Sequence, residues 1–296
     1  MNPEETNLSF NISQEDITDA SDKRGCGLYP LLKKMSIESW ELTENMVDPF
    51  AAAENYSRSN GSRKVKSEPL ASYVEVARGD VPRLRNTSAD LVTYLTDELS
   101  ARLVNMIEKS VLFPSVDAAG TPAALFSVMA DATTNGNQLS SLMASSMEAS
   151  GTTPTIADLI KLNALVDADG PRVLVTSRRT LAAVQLSAAA GGAFVGMGPD
   201  GVASVLGVDK VLTPSWWTDD SQPRAEAIIM ATHHYLVIGG DVNSYVQFTP
   251  DNNTVKFRSE LLVGGSLDSA HAAAVLTPIT ETAETAVHPI PQVYAL

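Results

Sequence analysis

The run Gly196-Met197-Gly198-Pro199-Asp200-Gly201 matches the GxGxxG pattern of dinucleotide sites. That pattern works when a strand precedes it and a helix follows, so that backbone N–H groups at the helix start face the pyrophosphate. Here the surrounding residues predict a helix before it and a short strand, Ala203 to Leu206, after it, and Pro199 removes one N–H. The stretch reads as a glycine-rich loop, which leaves a soluble α/β nucleotide-binding enzyme as a remote alternative. His233-His234 with Asp241 supplies metal-ligand types, but adjacent residues on a strand point to opposite faces, so two such imidazoles do not share a metal easily. The expectation is one buried and one exposed histidine. Gly264-Gly265-Ser266-Leu267-Asp268 lacks the last glycine of a nucleophile elbow and no strand–turn–helix frames it. His271 and His288 have no partner constellation, and Cys26, between Gly25 and Gly27, has no second cysteine and no evident base. No HExxH, P-loop or paired-cysteine pattern occurs. The residues assign no catalytic, cofactor-binding or metal site and point to a structural protein that is not an enzyme.

Charge is more informative. The 296 residues carry a formal net charge of −14, which argues against a dedicated nucleic-acid binder. Yet residues 58–85 hold seven Lys/Arg (Arg58, Arg63, Lys64, Lys66, Arg78, Arg83, Arg85) against three acids, while residues 1–57 hold four against eleven. A basic island in an acidic chain fits contact with other copies of the same chain; the competing reading is a solvated loop. One cysteine, no basic-apolar leader and no apolar run of the ~18 residues needed to span a bilayer point to a cytoplasm-like setting without membrane contact.

The element that must position the rest is Thr87–Leu112. Leu91, Val92, Leu95, Leu99, Leu103, Met106, Ile107 and Val111 recur at helical spacing, with Thr87 or Ser88 as cap, Glu98–Arg102 as an i, i+4 pair and Pro114 as stop. At 1.5 Å per residue this is a rod of roughly 37 Å. Residues 1–35 read as an extended or partly disordered acidic arm. Residues 36–86 read as a long hairpin with its turn signal at Asn60-Gly61, and Leu70–Val76 as a strand feeding the helix. Such a hairpin has little core of its own and must lie on something. Leu125, Phe126, Val128 and Met129 are expected inside, and Leu139, Leu142, Met143 and Met147 on one helical face. Further on, Thr155–Val166 reads as a helix, and Ser177 caps a second that ends near Gly191-Gly192. Residues 172–176, 203–206, 210–212, 227–231, 235–238, 245–248, 255–262 and 272–276 read as strands. The tail 278–296 is punctuated by Pro278, Pro289 and Pro291.

This order resembles the major capsid proteins of tailed bacteriophages of the Hong Kong 97 type. The match lies in Val74–Leu112, similar to the family's strand-into-spine-helix passage, in Pro171–Ser215, and in Ala227–Pro278, similar to its terminal strands; it spans about two thirds of the chain. The resemblance implies an α+β Hong Kong 97-type capsid fold. Its parts would be an N-terminal arm (1–35), an extended hairpin (36–86), a spine helix of the peripheral domain (87–119), an axial α/β domain (120–244), peripheral β-sheet strands (245–277) and a tail (278–296). It implies a homo-oligomer of pentamers and hexamers that forms an icosahedral virion shell around double-stranded DNA, without sequence-specific binding, assembled in the host cytoplasm. The hairpin, with Arg58, Arg63, Lys64 and Lys66, would lie over an adjacent subunit. An acidic shell also suits a container that must not grip its DNA, since phosphate contacts need cations. Some members cross-link a lysine to an asparagine in Val-Lys-Asn. The nearest match here is Val255-Lys256-Phe257, so no cross-link is carried over. Only a short acidic segment precedes the hairpin, which favours a separate scaffolding protein, beside a portal and a candidate decoration protein. An encapsulin-type nanocompartment shell, with no cofactor, is the nearest alternative.

Overall fold

A computed structural model describes residues 11–36, 41–45, 62–81, 89–113, 145–150, 153–190, 199–217, 225–267 and 270–277. The long helix forms as its periodicity requires: α2, Ala89–Leu112, is 24 residues, and Leu95, Leu99, Leu103, Ile107 and Val111 are fully buried along one stripe. Val92 and Met106, expected on that stripe, are each 38% exposed on its flank. Glu98 and Arg102 pair at 2.8 Å. The proposed cap at Thr87 or Ser88 and the stop at Pro114 lie outside the described residues.

The first departure is at the N-terminus. Instead of an extended arm, Gln14–Arg24 is a helix, α1, packed on α2 through Ile17 and Ala20. Its start is fixed by a reciprocal capping box: the Asp16 N–H donates to Ser13 Oγ at 3.1 Å and the Ser13 N–H to Asp16 Oδ2 at 2.7 Å. The chain then turns through Tyr29–Leu31 into β1, Lys33–Ser36. Acidity and a single apolar contact per turn hide this helix from a periodicity test, whereas burial against α2 supplies the stability that its composition lacks.

Four strands lie under α2 in the order β1-β9-β10-β4, with β4 Glu68–Ala77, β9 Tyr235–Thr249 and β10 Thr254–Leu267. β9 and β10 are each one long strand, not the shorter pieces 235–238, 245–248 and 255–262. Phe257, Leu261 and Val263 face α2 in the same core as α1. A second, mixed sheet has the order β5-β11-β8-β6-β7: β5 Ser145–Glu148, β6 Arg172–Thr176, β7 Lys210–Leu212, β8 Ala227–Ala231 and β11 Ala273–Thr277. Its strands alternate between two cores, Val173, Val175, Ile228 and Met230 facing the α2 side, Leu174 and Ile229 facing the other. That other face is covered by α3, Ile156–Ala164, with α5, Pro199–Leu206, and α4, Arg178–Ala190, alongside.

Two further readings are corrected here. Residues 203–206 are not a strand but the end of α5, where Val202, Ala203 and Leu206 share the buried face and Pro199 opens the helix. Met147 is not on a helix but on β5, opposite Leu276, so pairing with a buried strand overrides the helical spacing. Residues 114–144, with Leu125 to Met143, lie outside the described residues.

Candidate functional site

The basic island is built on a two-stranded ribbon. β2, Glu41–Asn45, pairs antiparallel with β3, Ser62–Lys66, with Glu41 opposite Lys66, Thr43 opposite Lys64, Glu44 opposite Arg63 and Asn45 opposite Ser62. A two-residue turn at Asn60-Gly61 would have set Ser62 against Ser59. Its partner is Asn45 instead, so residues 46–61 make a longer connection, which lies outside the described residues together with Arg58 and Asn60-Gly61. Strand alternation puts positions 64 and 66 on one face of the ribbon and position 63 on the other. Of the three island residues on β3, Arg63 and Lys66 thus stand opposite glutamates on β2, and Lys64 stands opposite a threonine. β3 continues through buried Ser67 into β4, whose last residues lead toward α2, and the base of the ribbon touches β10.

β4, the strand that follows the ribbon, is tied to α2 by a side-chain-to-backbone contact, and α1 is tied to α2 by an ion pair that shares Glu98. Glu98 accepts from Arg102 Nε at 2.8 Å and from Arg24 Nη1 at 3.4 Å, and Arg102 Nη1 donates to the Tyr73 carbonyl of β4 at 2.9 Å. On the exposed face of the sheet Lys256 lies 3.7 Å over the Tyr73 ring and 3.7 Å from Glu75.

A second constellation escaped the sequence reading. Glu108, on α2, is fully buried. Its Oε1 accepts from Ser21 Oγ at 2.6 Å, from the Leu28 N–H at 3.0 Å and from the Tyr29 N–H at 3.2 Å; Oε2 accepts from the Cys26 N–H at 2.8 Å. Gly25 is required here by space, because a Cβ would meet Glu108 Oε2 at 2.8 Å and Ser21 backbone at 2.9 Å, and Gly27 by its φ of +76°. The signal was available: position 108 is four residues after Val104 and three before Val111, on the buried stripe. Burial first, then the charge of Glu108 and its hydrogen bond, push the Cys26 thiol far above the ordinary range, which leaves it unreactive. Burial likewise raises Tyr29 to about 12.

The remaining candidates do not assemble into a site. The GxGxxG run begins in residues outside the described set, and its end opens α5; among the described residues the element before it is the helix α4, where the nucleotide fingerprint needs a strand. His233 and His234 sit in a one-turn 3₁₀ helix, Thr232–His234, not on a strand, and neither is buried; His234 Nε2 lies 3.1 Å from the Asp169 carbonyl. Gly264–Leu267 continues β10. Among the described residues no group of three or more His, Cys, Asp or Glu is arranged to hold a metal, and no helix is long and apolar enough to cross a membrane.

A spine helix lies on a long-stranded sheet, with an α/β unit beside it and a charged ribbon running from it. Residues 35–277 match the model of the phage capsid family, and the chain belongs to that family. The fold is that of Hong Kong 97-type capsids. The chain is similar to the capsid of a native GTA particle at TM-score 0.60 and 14% identity, covering 95% of this chain and 96% of that one. It is similar to the Mycobacterium phage Adephagia structure at 0.55 and 14%, covering 86% and 90%. It is also similar to the SrpI encapsulin from Synechococcus elongatus at 0.56 and 12%, covering 93% and 92%. No curated protein matches by sequence.

Proposed function

We propose that this major capsid protein closes its icosahedral shell from pentamers and hexamers, with the β2–β3 ribbon strapping adjacent copies. One observation carries the strapping role: a two-stranded ribbon bearing a basic island leaves the main sheet of an acidic chain. A two-stranded ribbon is marginal in water by itself, and the cations of β3, three against the two glutamates of β2, complement the acidic surface of its sisters. Arg58, Arg63, Lys64 and Lys66 are the proposed contact residues. The sheet carrying α3–α5 is proposed as the axial part, meeting at capsomer centres. The chain performs no catalysis. It encloses double-stranded DNA without reading its sequence, assembles in the host cytoplasm and works with a separate scaffolding protein, a portal and a candidate decoration protein.

The second reading, an encapsulin-type nanocompartment, is favoured by the encapsulin likeness alone. Expression of the full chain followed by electron microscopy and analysis of particle contents tests both. Megadalton shells that carry DNA when matured with the phage's other proteins support the capsid reading. Shells that hold a cargo enzyme support the nanocompartment, and a small soluble oligomer overturns both.

A further inference from the structure

The two longest strands are not uniform. β9 and β10 pair without slip except at one place: Leu261 faces Val242 but Val263 faces Gly239, so Gly240 and Asp241 stand against Leu262 alone. That is a β-bulge. It falls where the sheet changes partners. On the Val242 side the third strand is β4, which runs out at Glu68 opposite Val263; on the other side it is β1, which runs out at Ser36 opposite Gly239.

The glycines there are not needed for fit. A Cβ on Gly239 would meet the Leu262 carbonyl at 3.6 Å and one on Gly240 the Leu262 Cβ at 3.7 Å, both ordinary contacts, and neither residue has a positive φ. Glycine within a strand weakens it, so alanine would be the stabilising choice for a rigid sheet. Gly264 and Gly265 stand opposite Ile238 and Val237, close to the same point.

One path of hydrogen bonds closes this weak point. Gln14 Nε2, at the start of α1, donates to the Gly240 carbonyl at 2.9 Å. The Tyr29 hydroxyl donates to Gln14 Oε1 at 3.2 Å and fixes the amide's orientation. The Tyr29 N–H donates to the buried Glu108 carboxylate, which anchors the whole 25–29 loop to α2. The same segment supplies β1, which pairs with β9 up to the bulge.

We propose that the Gly239–Asp241 bulge is a hinge between the two halves of the β9–β10 hairpin, and that residues 12–36 are its latch, closed here with Gln14 as the bolt. This rests on the shell reading for its purpose: one chain placed in both pentamers and hexamers must adopt more than one bend, and a latched glycine bulge supplies a place for it.

Hydrogen–deuterium exchange on unassembled full-length subunits tests it. Gln14→Ala should raise exchange at residues 236–243 and 260–266 roughly fivefold to tenfold, the effect of losing one net hydrogen bond, while α2 and β8 keep wild-type protection. Gly239→Ala/Gly240→Ala should lower exchange at the same residues. Unchanged exchange in either variant, or a rise spread over α2 and β8, overturns the latch. The readout needs no particles, so failure to form shells counts against the shell reading alone.

Discussion

Glu108 is a charged side chain in a stripe of leucine, isoleucine and valine, and it is tolerated because four donors converge on it. Replacing it by glutamine keeps the volume but sets an NH₂ against the Cys26 N–H. Glu108→Gln should therefore cost about 2–3 kcal/mol in urea unfolding of the subunit. The same change removes the negative charge that helps to raise the Cys26 thiol, so alkylation of Cys26 at pH 8 should accelerate at least tenfold; an unchanged rate would show that burial alone holds the thiol neutral. Gly25→Ala should cost about 1–3 kcal/mol, since the added methyl has no free space.

Asp158, nearly fully buried, behaves differently with pH. Burial pushes its pKa up, but hydrogen bonds from Thr155 and Ser150 outweigh that and hold it below the ordinary carboxylate value. A depressed folded-state pKa contributes stability above the unfolded value of about 4, and that stability is lost as pH falls through the folded value. Thermal unfolding between pH 5 and 2.5 should thus show a steeper acid loss in the wild type than in Asp158→Asn, which gives up about 1 kcal/mol of capping at neutral pH.

At the scale of elements, what could be seen beforehand depended on how much of each element's burial was written in its own spacing. α2 was legible because five buried positions recur at helical intervals, and β6 and β8 because short apolar runs sit between turn residues. α1 was not, since QEDITDASDKR buries only Ile17, Ala20 and Ser21; its signs were the Ser13–Asp16 box and Lys23-Arg24 at its end. α5 looked like a strand over 203–206 because Ala203, Val205 and Leu206 make a short apolar run with a β-branched valine, although Pro199 at its first position marks a helix start. Gly239-Gly240 falls between the expected strands 235–238 and 245–248, and Gly264-Gly265 beyond the expected end at 262, and only the strand register shows them lying within β9 and β10. Of the island, Arg63, Lys64 and Lys66 were legible by charge, but their opposing glutamates were not, because a turn at Asn60-Gly61 implies a different register.

For the whole molecule the register decides how the strapping role can be tested. Reversing Arg63 or Lys66 would put like charges opposite Glu44 or Glu41 and weaken the ribbon itself, which is destabilising for directly opposed pairs. Lys64 faces Thr43, so it can be changed without that penalty. The critical concentration for assembly should rise in the order wild type, Lys64→Gln, Lys64→Glu, with the far-UV spectrum and melting temperature of the subunit held. Salt supplies the control. The net charge of −14 makes copies repel one another, and added salt relieves that in every variant alike, so absolute yields are ambiguous. The difference between variants is not: near 1 M salt the screening length falls to about 3 Å, and the spread between Lys64 and Lys64→Glu should collapse. A spread that persists at high salt would assign Lys64 a packing role, and no spread at low salt would remove the ribbon from the contacts that hold the shell together.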